Sequence, residues 1–251
     1  MAPLPWIAAA GGVVGILFGV FGVGGSSFAT PVLALLGVQG VVAVASPLPA
    51  TIPTALAGAW AYLRRRECDC KVAWWSLAGG VPGTLAGALL SQVIGGRVLL
   101  IASGVVLAIV GIRVLRPVTD DQRRLGEARR RAGVVIAAAA AVGLFTGLLA
   151  NGGGFLLVPL YLVVLGLGMR ESAATSLVVI AALSVPTLVT HWALGHVDWP
   201  VAGAFAAGAI PGGLLGGRLA HRLGGDSVRK AFGALLVLFA IYFTAKQAIG
   251  P

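Results

Sequence analysis

Acidic side chains are scarce in this chain, and none lies deep in an apolar stretch. The eight are Glu67, Asp69, Asp120, Asp121, Glu127, Glu171, Asp198 and Asp226, all in polar loops or at the ends of apolar segments. Cation and proton transporters commonly keep carboxylates in the transport path, so this distribution argues against that class. Charge of either sign is thin, at 10% of residues, which is too little for an ordinary soluble domain. The two cysteines, Cys68 and Cys70, are one residue apart; neighbours this close rarely bridge, and two thiols are half of a structural zinc set. They read as an incidental loop pair. Also missing are a nucleophile paired with a base, a metal-ligand cluster and a phosphate-activating lysine. The run Gly22-Val-Gly-Gly-Ser-Ser lacks the third glycine and the sheet context of a nucleotide loop. We therefore expect no enzyme and no cofactor.

What fills the chain is hydrocarbon, with 58% hydrophobic residues and a mean hydropathy of +0.98. Apolar segments run at about 6–21, 28–38, 41–63, 72–94, 98–115, 133–150, 155–168, 172–194, 198–217 and 228–248, which predicts an all-α polytopic membrane protein. The net charge of +10 does not point to nucleic acid, because the basic residues concentrate in short loops, where they encode orientation in a bilayer. The N-terminal Met-Ala-Pro-Leu-Pro-Trp has no positive n-region, and the apolar run after it reads as a first membrane element and not as a cleaved signal peptide.

The stretch Gly-Val-Gly-Gly-Ser-Ser-Phe-Ala-Thr-Pro, Gly22 to Pro31, occurs twice. An offset of 128 lays Gly15, Gly19, Gly24, Gly25 and Pro31 onto Gly143, Gly147, Gly152, Gly153 and Pro159. An offset of 129 then matches Ala45 with Ala174, Leu48 with Leu177, Asp69 with Asp198, Pro82 with Pro211, Gly83 with Gly212 and Gly87 with Gly216. This is a duplication, and it divides the chain into a first membrane repeat at 1–115, a basic linker at 116–132 and a second repeat at 133–251.

Each repeat reads as a glycine-broken helix hairpin, re-entrant or short, plus three spans, an odd count that inverts the second repeat relative to the first. With the hairpins entering and leaving on one side, 16 of the 18 basic residues fall on the side of the Arg64–Lys71 loop and only Arg97 and Lys246 opposite. If each broken pair were a single crossing, the split would be 12 to 6. The positive-inside rule prefers the inverted arrangement, with the linker in the cytoplasm and both termini outside.

Glycine clusters inside an apolar run break the helix and leave backbone N–H groups that lipid cannot satisfy. A short helix that restarts at such a cluster aims free N–H groups and the positive end of its dipole into the protein, the arrangement that binds anions elsewhere. The candidate substrate-binding residues are Gly24, Gly25, Ser26 and Ser27 in the first repeat and Asn151, Gly152, Gly153 and Gly154 in the second. Ser46, Thr175 and Ser176 join them as hydroxyls beside the breaks; such hydroxyls are as often bonded to their own helix. Gly83, Gly87, Gly212 and Gly216, spaced by four after a proline, read as helix-packing positions. His191, the only histidine inside an apolar segment as bounded above, and Trp192 read as interfacial residues.

The two signatures, Gly-Val-Gly-Gly-Ser-Ser-Phe-Ala-Thr-Pro and Asn-Gly-Gly-Gly-Phe-Leu-Leu-Val-Pro, each precede an apolar run and a small pair, Ala45-Ser46 or Ala174-Thr175. In these motifs, and in length and duplication, the chain resembles the sulfite exporter TauE/SafE family of membrane permeases. The first copy departs from the family's triple glycine by carrying Ser26. The resemblance implies movement of small sulfur oxyanions, such as sulfite or organosulfonates, across the bacterial inner membrane. The residues and the resemblance together predict a secondary transporter for a small anion, with a passive anion channel or a non-transport scaffold as alternatives. Assembly into a homo-oligomer stays open.

Overall fold

In a computed structural model, residues 3–24, 26–38, 41–90, 109, 111–115, 131–148 and 154–249 are described, and among them the only extended regular structure is helix. The helices are α1 Leu4–Phe21, α2 Ser26–Leu35, α3 Val41–Ala45, α4 Leu48–Leu63, α5 Cys70–Leu90, α6 Ala132–Leu148, α7 Gly154–Pro159, α8 Met169–Ala193, α9 Trp199–Arg222 and α10 Gly225–Ile249. The stretches Leu4–Phe21, Val42–Leu63, Met169–Ala193 and Trp199–Arg222 are long and apolar enough to cross a membrane. Their outward faces carry large apolar residues such as Val13, Leu56, Val189 and Leu215, all exposed; this surface suits lipid and would be a liability in water.

The helix breaks follow from proline and glycine. Pro47 and Pro49 lack the N–H groups that would bond back four residues, so α3 stops at Ala45 and the chain turns at Ser46-Pro47 before α4 begins. Pro159 ends α7, and the chain continues as one π turn, Leu160–Val164, closed by the Leu165 N–H on the Leu160 carbonyl at 3.2 Å. α2 has 10 residues, and α7 with its π turn has 11. At about 1.5 Å per residue neither reaches much beyond half of a bilayer's hydrocarbon.

Small residues set the packing. α1 lies along α9 so closely that a Cβ at Gly11, Gly15 or Gly19 would strike the backbone carbonyl of Phe205, Ala209 or Gly213. The same contact recurs between α5 and α6, where Gly79, Gly83 and Gly143 face the carbonyls of Ile136, Ala140 and Gly80. An offset of 128 matches α6 to α1 and an offset of 129 matches α9 to α5 in sequence, so the two glycine-lined contacts, α1 on α9 and α6 on α5, join matched helices. Gly83, Gly212 and Gly216 therefore serve close backbone approach, as expected for packing glycines. Local conformation repeats as well: Arg66 and Gly195, and Gly37 and Gly166, all have positive φ, and both pairs stand 129 residues apart.

Candidate functional site

The first glycine break is enclosed by both halves of the chain. α1 ends at Gly22, whose φ of 70° is left-handed and whose N–H bonds the Phe18 carbonyl at 2.8 Å. Glycine is required on a second count, since a Cβ there would lie 2.5 Å from the Ala173 Cα on α8. Side chains from other helices satisfy the carbonyls at this helix end. The Ser176 hydroxyl is 2.7 Å from the Gly22 carbonyl and 3.0 Å from that of Ala173. The Tyr62 hydroxyl is 3.0 Å from the Gly19 carbonyl and 3.2 Å from that of Val20. Val23 and Gly24 are buried, and helix resumes at Ser26.

In the second repeat, Gly154 is the first described residue of the short helix, at the position that an offset of 128 matches to Ser26. Leu156 to Leu162 behind it are buried. Gly25, Asn151, Gly152 and Gly153 lie outside the described residues, as do the side chains of Ser26 and Ser27.

Ser46 and Thr175, matched at an offset of 129, are both fully buried and make reciprocal contacts. The Asp198 N–H donates to the Ser46 Oγ at 3.1 Å, and the Asp69 N–H donates to the Thr175 Oγ1 at 3.1 Å. Each aspartate then caps the following helix. Asp69 Oδ1 accepts from the Lys71 and Val72 N–H groups, and Asp198 Oδ1 from that of Val201, all at 3.1 Å. The structure thus joins Ser176 to the first glycine break and ties Ser46 and Thr175 to the opposite repeat's capping residue. Each hydroxyl accepts one backbone bond there.

Sequence reading missed a second polar cluster. α9 runs on to Arg222, so His221 is a membrane-helix histidine as well as His191, and its side chain is 6% exposed. Its Nε2 lies 2.8 Å from Glu67 Oε2, its Nδ1 2.8 Å from the Gly217 carbonyl, and its ring packs on Tyr62 with centroids 4.8 Å apart. Arg170 Nη2 donates to the His221 and Leu223 carbonyls at 3.3 and 3.2 Å. The signal available was the 129-residue offset, which lays Tyr62 on His191 and Glu67 on His196.

Cys68 and Cys70 are unpaired thiols. Cys68 is half-buried beside Thr175, and burial, with the neighbouring Cys70, pushes its thiol up to about 11. Thiolate is the reactive form, so at neutral pH Cys68 is expected to alkylate much more slowly than exposed Cys70. Mass-spectrometric labelling of purified protein checks this, and equal rates would contradict the packing of the 67–69 loop.

The family profile described as "Sulfite exporter TauE/SafE" matches residues 7–243. A "Probable membrane transporter protein" of Xylella fastidiosa (strain 9a5c) is 31% identical over 245 residues, covering 92% of this chain and 91% of the relative. The "Probable membrane transporter protein YunE" of Bacillus subtilis (strain 168) is 26% identical over 250 residues, covering 90% and 92%. No solved structure matches the chain.

Proposed function

The chain belongs to the sulfite exporter TauE/SafE family of membrane transporters, and we propose that it is a secondary transporter of a small sulfur oxyanion, such as sulfite or an organosulfonate. The observation that carries this reading is the pair of short helices whose first described residues, Ser26 and Gly154, are matched positions that follow glycine clusters in the sequence. The first turn of a helix has N–H groups without intrahelical partners and the positive end of the dipole. Two such ends offer an anion donors without a fixed cation, which leaves binding weak enough for release. Gly24, Gly25, Ser26, Ser27, Asn151, Gly152, Gly153 and Gly154 form the site, with Ser46, Thr175 and Ser176 behind it.

The inverted arrangement of the repeats has support from the contacts at the helix ends. Glu67 after α4, Arg170 at the start of α8 and His221 at the end of α9 are bonded together, so all three lie at one end of the molecule. Ser46 at the start of α4 is bonded to Asp198, which follows α8. α4 and its repeat counterpart α8 therefore run in opposite directions, as inverted repeats must. The end holding Glu67 also holds Arg64, Arg65, Arg66, Arg170, Arg218 and Arg222, and we assign it to the cytoplasm of a bacterial inner membrane. An impermeant thiol reagent on intact cells should spare Cys70 and label a Gly195→Cys variant, in the matched and exposed loop; labelling of Cys70 would reverse the assignment.

Binding is testable apart from transport. An anion present at about 100 times its dissociation constant stabilises the folded protein by about 2.7 kcal/mol. Sulfite or a sulfonate should raise the melting temperature of the purified protein, and chloride at equal ionic strength should not. An equal response to both would contradict the substrate class. A passive anion channel would give single-channel currents in planar bilayers, and a transporter gives none.

A further inference from the structure

The seam between α4, in the first repeat, and α9, in the second, runs up to the arginine-rich end of the molecule. A Cβ at Gly213 would lie 2.8 Å from the Thr54 carbonyl, and one at Gly217 would strike the Gly58 carbonyl and lie 3.4 Å from the Ala61 Cβ. Beyond these contacts, Glu67 Oε2 meets His221 Nε2 at 2.8 Å.

α1 covers one side of the seam and leaves the other open. On α4, the Tyr62 hydroxyl bonds the Gly19 and Val20 carbonyls of α1. On α9, a Cβ at Gly216 would strike the Ile16 carbonyl of α1. Arg64 follows Tyr62 and Arg218 follows Gly216 by two residues, about 200° around each helix. Both arginines therefore face away from α1, on the open side, and both are exposed. One turn before them, toward the middle of the membrane, stand Trp60 and Leu215, which are 53% and 55% exposed. The Arg64 guanidinium lies over the Trp60 ring, 5.1 Å from its centroid.

The positive charge at this rim has no protein partner. Arg64, Arg65, Arg66, Lys71, Arg218 and Arg222 are all exposed. Among the described residues none of the six is in an ion pair; the pairs are His221–Glu67, Arg229–Asp226 and Lys230–Asp226. The nearby acids are occupied, Glu67 by His221 and Asp69 as the cap of α5. The matched loop at the other end, Ala193 to Pro200, contains no arginine or lysine.

We propose that the open side of the α4–α9 seam binds one anionic phospholipid, its phosphate held by Arg64 and Arg218 and an acyl chain lying over Trp60 and Leu215. Guanidinium forks match phosphate oxygens, and the Trp60 indole N–H is a further donor at the level of the headgroups. A lipid fits this surface better than a free anion does, because the cations stand at the edge of an apolar, lipid-facing strip and not around an enclosed polar pocket. The lipid joins one helix of each repeat and so strengthens the contact between the repeats. The idea rests on the reading that this end meets a membrane face, but its test needs neither a bilayer nor transport. External labelling of Cys70 would reverse which leaflet supplies the lipid and leave that test unchanged.

Delipidated protein in neutral detergent is titrated with phosphatidylglycerol or phosphatidylcholine of equal chain length and followed by native mass spectrometry. The protein should retain one phosphatidylglycerol and hold phosphatidylcholine much more weakly. Arg64→Gln combined with Arg218→Gln should raise the apparent Kd for phosphatidylglycerol by about 30-fold, a factor of about five for each basic side chain at an anionic headgroup. Both positions are exposed, and substitutions at such sites are usually close to neutral for stability. The control is Lys230→Gln, which removes an exposed charge already paired with Asp226 and should leave the Kd unchanged. Equal retention of the two lipids, an unchanged Kd in the double variant, or the same loss in Lys230→Gln would overturn the proposal. Displacement of phosphatidylglycerol by an equal concentration of inorganic phosphate would overturn it too, by marking a free-anion site.

Discussion

Gly24→Val and Gly153→Val are each expected to abolish anion flux in protein that still inserts and purifies. Gly24 is buried two residues after the left-handed Gly22 and two before α2 begins. A β-branched side chain there restricts the backbone and, at the proposed site, would block the approach of an anion to the N–H groups of the first turn. The effect should be near-complete loss, because close approach is removed and not merely weakened. Removing one neighbouring donor, by Ser27→Ala or Asn151→Ala, should leave transport intact and weaken apparent affinity by about 1–3 kcal/mol, the range for one hydrogen bond to a charge. The check is initial flux in proteoliposomes normalised to reconstituted protein. Valine variants that keep wild-type affinity and lose only yield would mean that the clusters are packing devices.

Gly212→Val should fail differently, through loss of folded protein. A Cβ at Gly212 would strike the Gly12 carbonyl and lie 3.1 Å from the Ile16 nitrogen. Both are backbone atoms that no rotamer change can move, so α1 and α9 would have to separate along the tightest contact between the repeats. Overpacking typically costs about 1–3 kcal/mol, and a rigid backbone contact belongs at the upper end. Gly203→Ala on the same helix is the control, since nothing lies within 4 Å of its Cβ; it should be neutral or gain up to about 1 kcal/mol in helix propensity. Thermal melts in detergent should separate the two variants clearly. A Gly212→Val protein as stable as wild type would contradict the packing described for α1 and α9.

Much of the architecture was readable because proline, glycine and hydropathy act locally. The interruption at Ser46-Pro47, the start of α5 and the ends of α4 and α8 fall within a few residues of where those signals put them. Gly83, Gly212 and Gly216 were readable as packing positions from their spacing. What the chain order hid was the exchange between repeats. Asp69 and Asp198 stood out only as matched loop acids, and nothing local says that each gives its N–H to a hydroxyl 106 or 152 residues away. His221 was missed because the hydropathy of α9 falls off at Arg218, four residues before the helix ends. A charged residue at a helix end ends the apolar run sooner than it ends the helix. The partners of Ser176 were likewise invisible, since the Gly22 carbonyl becomes available only after the left-handed turn has formed.

The most direct measurement is uptake by proteoliposomes of sulfite, thiosulfate, sulfate and sulfoacetate, with wild-type protein beside Gly24→Val. Saturable flux of at least one of these anions in the wild type, none in the valine variant and no flux of chloride is the result expected of a sulfur-oxyanion transporter whose site lies at the glycine breaks. Flux of chloride at the same rate, or undiminished flux in the valine variant, would contradict it.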